Sequence, residues 1–413
     1  MSVTPDDVSR AATVVPRIAV PTALDRSARL SQRHGVEVLL KREDQQVGRS
    51  YKVRGAFNLM ASLGADELAQ GVVCASAGNH AQGLALSCSR LEADGHIFLP
   101  TNTPRQKRER IRELGGSRVR MTMQGRTYDE ASAAALQFAA ERGSTYVHPF
   151  DDERTIAGQG TVAVGLVRDA ERPLDVVVVP VGGGGLIAGM AVWLRETWPQ
   201  IRIIGVEPAG AASMAAALAA GRPVPVADLD TFVDGASVGT VGRLTFPLVR
   251  DLVDEVVTVA PGAICTEMLA LYQSDGIIAE PAGAMASAAL EQIDLEPGSR
   301  VGCLVSGGNN DVSRYADVIE RSMVHEGLRH YFLVGFPQEP GALRGFLDHV
   351  LADGEDIVVF EYVKKSNRET GPALIGIDLD SAAGLPALMS RMLASNLTIE
   401  KVASGSPLFE FVT

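Results

Sequence analysis

The sequence predicts an α/β protein with mainly parallel sheets, followed by a smaller α+β domain. Short apolar runs alternate with helical patterns over the first ~320 residues, which is typical of strand–helix units around parallel sheets. Two of these runs, 176–180 and 301–305, are continuously apolar, as expected for central strands covered on both faces. After His330 the order of the predicted elements changes, which indicates a second domain.

Strands and helix candidates alternate along the first part of the chain. The predicted strands are Val36–Leu40, Gly71–Cys74, Ile97–Leu99, Val176–Pro180, Ile201–Val206, Glu255–Val259 and Val301–Val305. The helix candidates include Asn79–Arg90, Pro104–Leu114, Thr127–Ala140, Leu186–Thr197 and Pro281–Gln292. Alternation of this kind predicts repeated α/β units.

The C-terminal part predicts the order β-α-β-β-α-β, which is that of a ferredoxin-like unit. A strand at 330–336 precedes a helix that begins near Pro340. Two strands follow, at 356–365 and 373–380, with the turn-rich SNRETG at 366–371 between them. A helix at 385–395 and a short apolar segment at the chain end complete the domain. The boundary is predicted near 324–328, which gives domains 1–324 and 325–413.

Composition and charge exclude several classes of function. The net charge of −12 argues against nucleic acid or an anionic membrane as the main partner. The basic run 105–112 contains Glu109 and is followed by Glu113, which predicts the solvated face of a helix. There is no long apolar stretch and no apolar signal core, so a cytoplasmic protein is expected. The four cysteines lack metal-type spacing and are expected to be reduced and mostly buried.

The first segment that suggests chemistry is Ser50–Ala56, in which Lys52 precedes a helical pattern. A lysine attacks a carbonyl as the neutral amine, which requires burial or a cationic neighbour to lower its pKa. Judged on this segment alone, a lysine at the start of a helix is most often a surface residue. The segment by itself therefore leaves the role of Lys52 open.

Two further segments place glycines between a strand and a helix. Ser76–His80 offers backbone N–H groups to a carboxylate or a phosphate, although a plain helix-capping loop fits this segment too. Gly182–Leu186 has four consecutive glycines, which are costly to order, and predicts a phosphate-binding loop. It matches neither the Walker A motif nor the dinucleotide fingerprint. Glu207 lies near the offset of the acidic residue in that fingerprint, so a nicotinamide dinucleotide remains an alternative.

The fourth segment, Ser306–Asn310, follows an apolar strand whose end is expected to line a ligand crevice, although a turn without a ligand fits this segment as well.

The segments KREDQQ…RSYKVRGA, SAGNHAQG, PVGGGGLIAG, EPAGA and SGGNND occur in this order. Together they resemble the fold-type II pyridoxal-phosphate enzymes, and specifically the threonine dehydratases, over nearly the whole chain. The resemblance implies two open α/β subdomains, the smaller one at about residues 68–150.

The resemblance also implies a role for each candidate residue. Lys52 would bind pyridoxal 5'-phosphate covalently and then remove the substrate α-proton, with the ring of Tyr51 beside the cofactor. Asn79 would donate to the phenolic oxygen of the cofactor, and Ser306 would lie against the pyridine nitrogen. The cofactor phosphate would be bound by Gly182, Gly183, Gly184, Gly185 and Leu186. The substrate carboxylate would be bound by the backbone N–H groups of Ser76, Ala77, Gly78, Asn79 and His80.

Two departures from the related serine racemases narrow the predicted reaction. Ala77 stands where those enzymes have a serine that acts as the opposite-face acid and base, so racemisation is expected to be poor. Ser213 stands where they carry an acidic metal ligand, so no metal is predicted. The predicted reaction is dehydration and deamination of L-threonine to 2-oxobutanoate and ammonia. A catabolic or broad serine/threonine ammonia-lyase and a catalytically inactive amino-acid sensor remain as alternatives.

The C-terminal domain resembles the single ACT-like regulatory domain of short biosynthetic threonine dehydratases. FPQEPGALRGFL and FEYVKK carry this resemblance, although Glu339 stands where arginine is common. The resemblance implies feedback inhibition by isoleucine, antagonism by valine and a homotetramer. A domain that serves only assembly remains an alternative, because regulation requires that the effector bind one conformational state better than another.

Overall fold

The structure is a computed structural model that describes residues 3–362, 370–403, 406 and 409. The chain divides into two compact units, Met1–Asn310 and Asp311–Thr413. The predicted boundary between residues 324 and 325 lies at the end of a helix of the second unit, Tyr315–His325, and it stays a prediction. The predicted turn at 366–371 and the apolar end of the chain fall largely outside the described residues.

Strands and helices alternate through the described part of the first unit, as predicted. The strands of the chain are β1 (Leu24–Arg26), β2 (Glu37–Arg42), β3 (Val72–Ala75), β4 (Gly95–Leu99), β5 (Val119–Met123), β6 (Thr145–Tyr146), β7 (Val176–Pro180), β8 (Arg202–Pro208), β9 (Glu255–Val259), β10 (Arg300–Val305), β11 (Arg329–Pro337), β12 (Glu355–Tyr362), β13 (Thr370–Leu379) and β14 (Thr398–Lys401). The helices are α1 (Pro5–Val14), α2 (Ala28–His34), α3 (Lys52–Ala61), α4 (Ala65–Ala69), α5 (Asn79–Leu91), α6 (Arg105–Gly115), α7 (Tyr128–Arg142), α8 (Glu153–Asp169), α9 (Gly185–Thr197), α10 (Ser213–Ala220), α11 (Thr245–Leu252), α12 (Pro261–Gln273), α13 (Pro281–Ala288), α14 (Tyr315–His325), α15 (Ala342–His349) and α16 (Leu385–Ala394).

The larger sheet of the first unit has the strand order β1-β2-β10-β7-β8-β9. All its pairs are parallel except that of β1 with β2. Val301 of β10 pairs with Val38 of β2 on one side and with Val176 of β7 on the other. Every residue of β7 and β10 is buried, which confirms that these continuously apolar runs are central strands.

The smaller sheet has the order β5-β4-β3-β6 with parallel pairs throughout, and it lies within the predicted smaller subdomain. Neither β5 nor the long helix α8 was predicted from the sequence. Strand β5 lies at the edge of its sheet, and none of its residues is fully buried, so its apolar pattern is weak. Helix α8 contains Gly158, Gly160 and Gly165, which lower the intrinsic helix propensity of the segment.

The second unit has the order β-α-β-β-α-β, formed by β11, α15, β12, β13, α16 and β14, but its last strand lies at Thr398–Lys401 and not at the chain end where the sequence placed it. Its sheet is antiparallel with the order β12-β13-β11-β14, and α14 precedes it in the chain. Phe332, Phe336 and Phe346 belong to its buried core. Helix α15 begins at Ala342, two residues after the predicted start near Pro340, because Gly341 takes a left-handed conformation with φ +97° at the N-cap.

Three further expectations concern the surface and the thiols. No helix among the described residues is both long enough and apolar enough to cross a membrane. The basic run 105–112 lies in helix α6. On the surface of this helix, Arg105 forms an ion pair with Glu109 and Arg110 forms one with Glu113. This confirms the predicted solvated helix face. All four cysteines are buried and free of disulfides.

Candidate active site

Three of the predicted site segments of the first unit lie at the carboxyl ends of parallel strands. The segment 76–80 follows β3 and runs into α5, and the segment 182–186 follows β7 and runs into α9. Ser306 directly follows β10, the central neighbour of β7. In open α/β sheets, ligands bind at such strand ends, because loops from neighbouring strands converge there.

Lys52 is the first residue of α3, and its amine is held inside the protein. Its Nζ atom donates a hydrogen bond to the carbonyl oxygen of Pro149 at 3.0 Å and lies 5.3 Å from the ring centroid of Tyr51. Burial lowers the pKa of Lys52 to about 8, although the nearby carboxylate of Glu280 opposes part of this shift. The interpretation of Lys52 as an ordinary surface lysine, which the sequence left open, is therefore wrong. An appreciable share of its amine is neutral and nucleophilic near neutral pH.

Tyr51 and Ser306 connect Lys52 to the end of β10. The backbone N–H of Tyr51 donates to the carbonyl oxygen of Ser306 at 3.2 Å. The buried Ser306 hydroxyl donates to the carbonyl oxygen of Ala282 at 3.2 Å. Burial raises the pKa of Tyr51, so its ring stays neutral beside the lysine. The structure thus brings the lysine segment and the serine segment together.

The four-glycine loop presents the N-terminus of α9 without a side-chain cap. Gly184, at the N-cap, has φ +90°, a conformation that residues with a Cβ rarely adopt. The Gly183 carbonyl accepts hydrogen bonds from the Thr245 hydroxyl at 2.6 Å and from the Gly242 N–H at 3.3 Å, which fixes the loop. Uncapped N–H groups at a helix N-terminus bind anions, so the loop has the chemistry of a phosphate site.

The loop at 76–80 uses part of its own backbone to hold its shape, since the N–H of Ser76 donates to the carbonyl oxygen of Phe98 at 3.2 Å. The hydroxyl of Ser76 accepts from the N–H of Gly78 at 3.2 Å. The His80 ring contacts the carbonyl oxygen of Val147 through Nε2 at 2.8 Å. Burial lowers the pKa of His80 to about 3, so the ring is neutral and Nε2 carries the proton that this carbonyl accepts. The His80 side chain therefore has a structural role, and only its backbone remains a candidate for the substrate carboxylate.

Asn79 contacts a residue for which the sequence analysis proposed no role, Glu280. The amide Nδ2 of Asn79 donates to Glu280 Oε1 at 2.6 Å, and its Oδ1 accepts from Asn309 Nδ2 at 2.6 Å. Burial raises the pKa of Glu280 to about 7, and the charge of Asp234 adds to this shift. A glutamate that is only 5% exposed is unusual, and its place directly before a proline that starts a helix was the available signal.

The segment after β6 was also missed. The carbonyl oxygen of Pro149 accepts from Lys52 and, at 3.0 Å, from Gln159 Nε2. Nδ1 of His148 accepts from the N–H groups of Phe150 at 3.3 Å and Asp151 at 2.8 Å, which turns the segment back toward the lysine. Strand β6 has two residues, too few for a hydrophobic pattern to reveal that this segment reaches the site.

Glu207 has a structural role that removes the dinucleotide alternative. It is fully buried, and its two carboxylate oxygens accept from the N–H groups of Met214 at 2.6 Å and Ala215 at 2.8 Å at the start of α10. A carboxylate occupied in this way does not bind a ribose. Among the residues that the structure describes, no group of three or more His, Cys, Asp and Glu side chains is arranged to hold a metal ion.

The site offers partners for an aldehyde, a ring and a phosphate. Lys52 supplies an amine of lowered pKa, and the glycine loop supplies an anion site at a helix N-terminus. Ser306 supplies a buried hydroxyl, and Asn79 supplies an oriented amide. This donor set fits pyridoxal phosphate, whose aldehyde reacts with a lysine and whose ring and phosphate are bound separately.

Comparison with protein families agrees with this chemistry. Residues 16–307 match the family described as pyridoxal-phosphate dependent enzyme, and residues 320–412 match the C-terminal regulatory domain of threonine dehydratase. The first match spans well over half of the chain, so the chain belongs to the family of pyridoxal-phosphate dependent enzymes, in the branch whose members carry this regulatory domain.

Individual relatives are similar over almost the full length. The chain is 55% identical over 408 residues to the biosynthetic L-threonine dehydratase of Mycobacterium tuberculosis, which covers 98% of this chain and 95% of that protein. It is 43% identical over 396 residues to the biosynthetic L-threonine dehydratase of Bacillus subtilis, covering 96% and 94%. These proteins are more similar to the chain than the solved structures described next.

Two solved structures match the first part of the chain. The processed form of threonine deaminase isoform 2 from Solanum lycopersicum is 39% identical with a TM-score of 0.72, covering 77% of this chain and 94% of that one. Maize serine racemase is 31% identical with a TM-score of 0.72, covering 79% and 99%. The fold predicted from the motifs, a fold-type II pyridoxal-phosphate enzyme, is therefore confirmed.

Proposed function

We propose that this enzyme dehydrates and deaminates L-threonine to 2-oxobutanoate and ammonia, as the first step of isoleucine biosynthesis. The observation that carries the proposal is the amine of Lys52, which has a lowered pKa and lies among an anion-binding loop, an oriented amide and a buried serine hydroxyl. Near-full-length similarity to proteins named biosynthetic L-threonine dehydratase supports the choice of substrate.

Lys52 is the base that removes the α-proton of the substrate in this proposal. Lys52 would hold the cofactor, and its amine, once freed by the substrate amine, would accept the α-proton of threonine. A pKa of about 8 suits this role, because the amine accepts a proton readily and yet is neutral in an appreciable share of molecules near neutral pH. Bound pyridoxal phosphate supplies the electron sink that makes the α-proton acidic. The backbone N–H groups of Ala77, Asn79 and His80 hold the substrate carboxylate and thereby orient the α-proton, because those of Ser76 and Gly78 are already bonded within the protein.

Ser306 and Ala77 favour elimination over the other reactions of the family. The Ser306 hydroxyl, unlike a carboxylate, would not keep a ring nitrogen protonated, so bound pyridoxal phosphate would be a weaker electron sink. Loss of the α-proton to Lys52 would then be coupled to departure of the β-hydroxyl, which takes up a proton and leaves as water. Ala77 has no titratable group and packs against the core of the smaller subdomain. Without an acid on the opposite face, a proton is not returned there, and racemisation is slow.

We further propose that the second unit binds isoleucine in a groove beside the turn between β11 and α15. A cavity of about 800 Å³ lies there, with apolar walls that include Phe336, Leu347 and Phe360. These walls suit an aliphatic side chain, and Arg344 and Asp348 supply opposite charges at the same groove for a carboxylate and an ammonium group. Valine, which is one methylene smaller, would compete there.

The family resemblance also supports a homotetramer in the cytoplasm as part of this proposal. Size determination by light scattering at the working protein concentration checks the tetramer. A monomeric active enzyme would contradict it. Fractionation of cells followed by the activity assay checks the compartment.

The proposal is tested with purified holoenzyme by measuring 2-oxobutanoate from L-threonine with and without isoleucine. Wild-type enzyme is expected to form the product, and Lys52→Ala is expected to lose all activity. Lys401→Ala is the matched control, because Lys401 is an exposed lysine on β14. Activity on L-serine is expected as well, since one methyl group is worth only about 1–3 kcal/mol in discrimination. Undiminished activity of Lys52→Ala would contradict the proposal.

A further inference from the structure

A chain of three buried or half-buried side chains runs through the first unit beside Lys52. Glu280 Oε1 accepts from Asn79 Nδ2 at 2.6 Å, and Asn79 Oδ1 accepts from Asn309 Nδ2 at 2.6 Å. Asn309 Nδ2 also donates to the carbonyl oxygen of Gly48 at 2.8 Å. The chain therefore connects the start of α13, the start of α5 and the loop after β10.

These contacts determine which way the Asn79 amide faces. The Gly48 carbonyl accepts only, so the Asn309 amide faces it with Nδ2, and the same Nδ2 donates to Asn79 Oδ1. The Asn79 amide therefore faces Glu280 with Nδ2. Glu280 uses one N–H of Asn79, and Asn309 uses its oxygen. One further N–H of Asn79 is left to donate to an acceptor in the site.

The side chain of Glu280 has no other structural task in the described contacts. Glu280 is the N-cap residue of α13, yet its side chain makes no capping hydrogen bond to that helix. The carboxylate instead lies directly against the backbone of Gly307, the residue after Ser306. The approach is so close that a Cβ added at Gly307 would clash with Glu280 Oε1. The backbone N–H of Glu280 donates to the carbonyl oxygen of Gly307 at 3.1 Å, and this contact holds Glu280 in place.

We propose that Glu280 is a positioning residue, which orients the Asn79 amide so that Asn79 donates to the ring oxygen of bound pyridoxal phosphate. Without the carboxylate, Asn79 Nδ2 loses its partner and only the contact with Asn309 still holds the amide. The amide then turns more readily and presents its oxygen to the ring oxygen, where the two acceptors repel each other. The proposal rests on the cofactor assignment of the site and is independent of whether threonine is the substrate.

The test measures the absorption spectrum of bound pyridoxal phosphate and its dissociation constant from the holoenzyme, neither of which needs substrate. Glu280→Ala is expected to weaken cofactor binding by roughly tenfold or more, as the loss of a hydrogen bond to a charged group does. It is also expected to change the ratio of the two absorption bands, which report where the proton of the ring oxygen lies. Glu280→Gln keeps one acceptor and is expected to give an intermediate result in both readouts.

Glu267→Gln is the matched control. Glu267 is as buried as Glu280, at 5% exposure, but it forms an ion pair with Arg29. The Glu267→Gln variant is expected to have a lower melting temperature than wild type but the same absorption spectrum of bound pyridoxal phosphate. The proposal is overturned if Glu280→Ala and Glu280→Gln retain the wild-type spectrum and a dissociation constant within twofold of wild type. It is also overturned if Glu267→Gln changes the spectrum as much as they do, because the effect would then come from lost stability.

Discussion

The amine of Lys52 donates to the carbonyl oxygen of Pro149 at 3.0 Å, and this contact joins the start of α3 to the segment that follows β6. A carbonyl oxygen is a neutral acceptor, so it holds the amine in place without the charge that would raise the pKa of the lysine strongly. Burial then lowers that pKa to about 8, against only partial opposition from Glu280. The contact accounts for a lysine that is both fixed and reactive.

The first prediction concerns the pH dependence of cofactor capture. An amine with a pKa of about 8 is neutral in about one molecule in ten at pH 7 and in nine of ten at pH 9, so the capture rate of the apoenzyme is expected to rise about tenfold over this range and then level off. Stopped-flow absorbance of apoenzyme mixed with pyridoxal phosphate measures it. Nα-acetyl-lysine is the control, because its only amine has a pKa of about 10.4, and its rate continues to rise toward that pH. The same continued rise with the apoenzyme would contradict the lowered pKa.

The second prediction concerns Gly184. Gly184→Ala places a Cβ at φ +90° and 2.7 Å from Met214 Cε, so we expect a loss of about 1–3 kcal/mol in unfolding free energy and weaker binding of pyridoxal phosphate. Gly221→Ala is the matched control, because Gly221 has φ +68° but no atom within 4 Å of the added carbon. Equal cofactor dissociation constants for the two variants would show that the loop does not hold the phosphate.

The third prediction concerns reaction specificity. Ala77→Ser adds a hydroxyl to the loop at 76–80, and we expect the ratio of D-serine to pyruvate formed from L-serine to rise. The added hydroxyl can return a proton from the face opposite to Lys52. Chiral chromatography of the products measures the ratio, with Ala77→Gly as the control that changes size without adding an acid. An unchanged ratio in Ala77→Ser would contradict the role given to this position.

The fourth prediction concerns the groove of the second unit. Phe360→Ala removes an apolar wall from the groove, and we expect about a tenfold higher isoleucine concentration for half inhibition, with basal activity retained. Phe360 is 38% exposed, so the unit should remain folded without its ring. Leu393→Ala is the control, because Leu393 is 81% exposed and lies outside the groove. Equal inhibition of both variants by isoleucine would place the effector elsewhere.

Much of the fold followed from apolar patterns, and the exceptions have physical causes. Strands β7 and β9 have the predicted bounds, because their apolar or β-branched runs end at clear breaks. Strand β5 was missed because an edge strand needs fewer apolar residues, and α8 was missed because its glycines lower helix propensity.

The candidate site was predictable where its chemistry is local in sequence. The glycine loop and the loop at 76–80 each follow a strand and precede a helix, which is a pattern that can be recognised. Glu280 and Pro149 act through contacts with residues 201 and 97 positions away in the chain, Asn79 and Lys52 respectively. No pattern in the sequence encodes such partners, so their contribution required the structure.

The central claim is that Lys52 carries the cofactor. Reduction of the holoenzyme with borohydride, followed by peptide mass spectrometry, tests it most directly, because reduction fixes the cofactor to the nitrogen that holds it. We predict a single modified peptide in which Lys52 bears the pyridoxyl group. Modification of Lys41 or Lys107 with Lys52 unmodified would contradict the account.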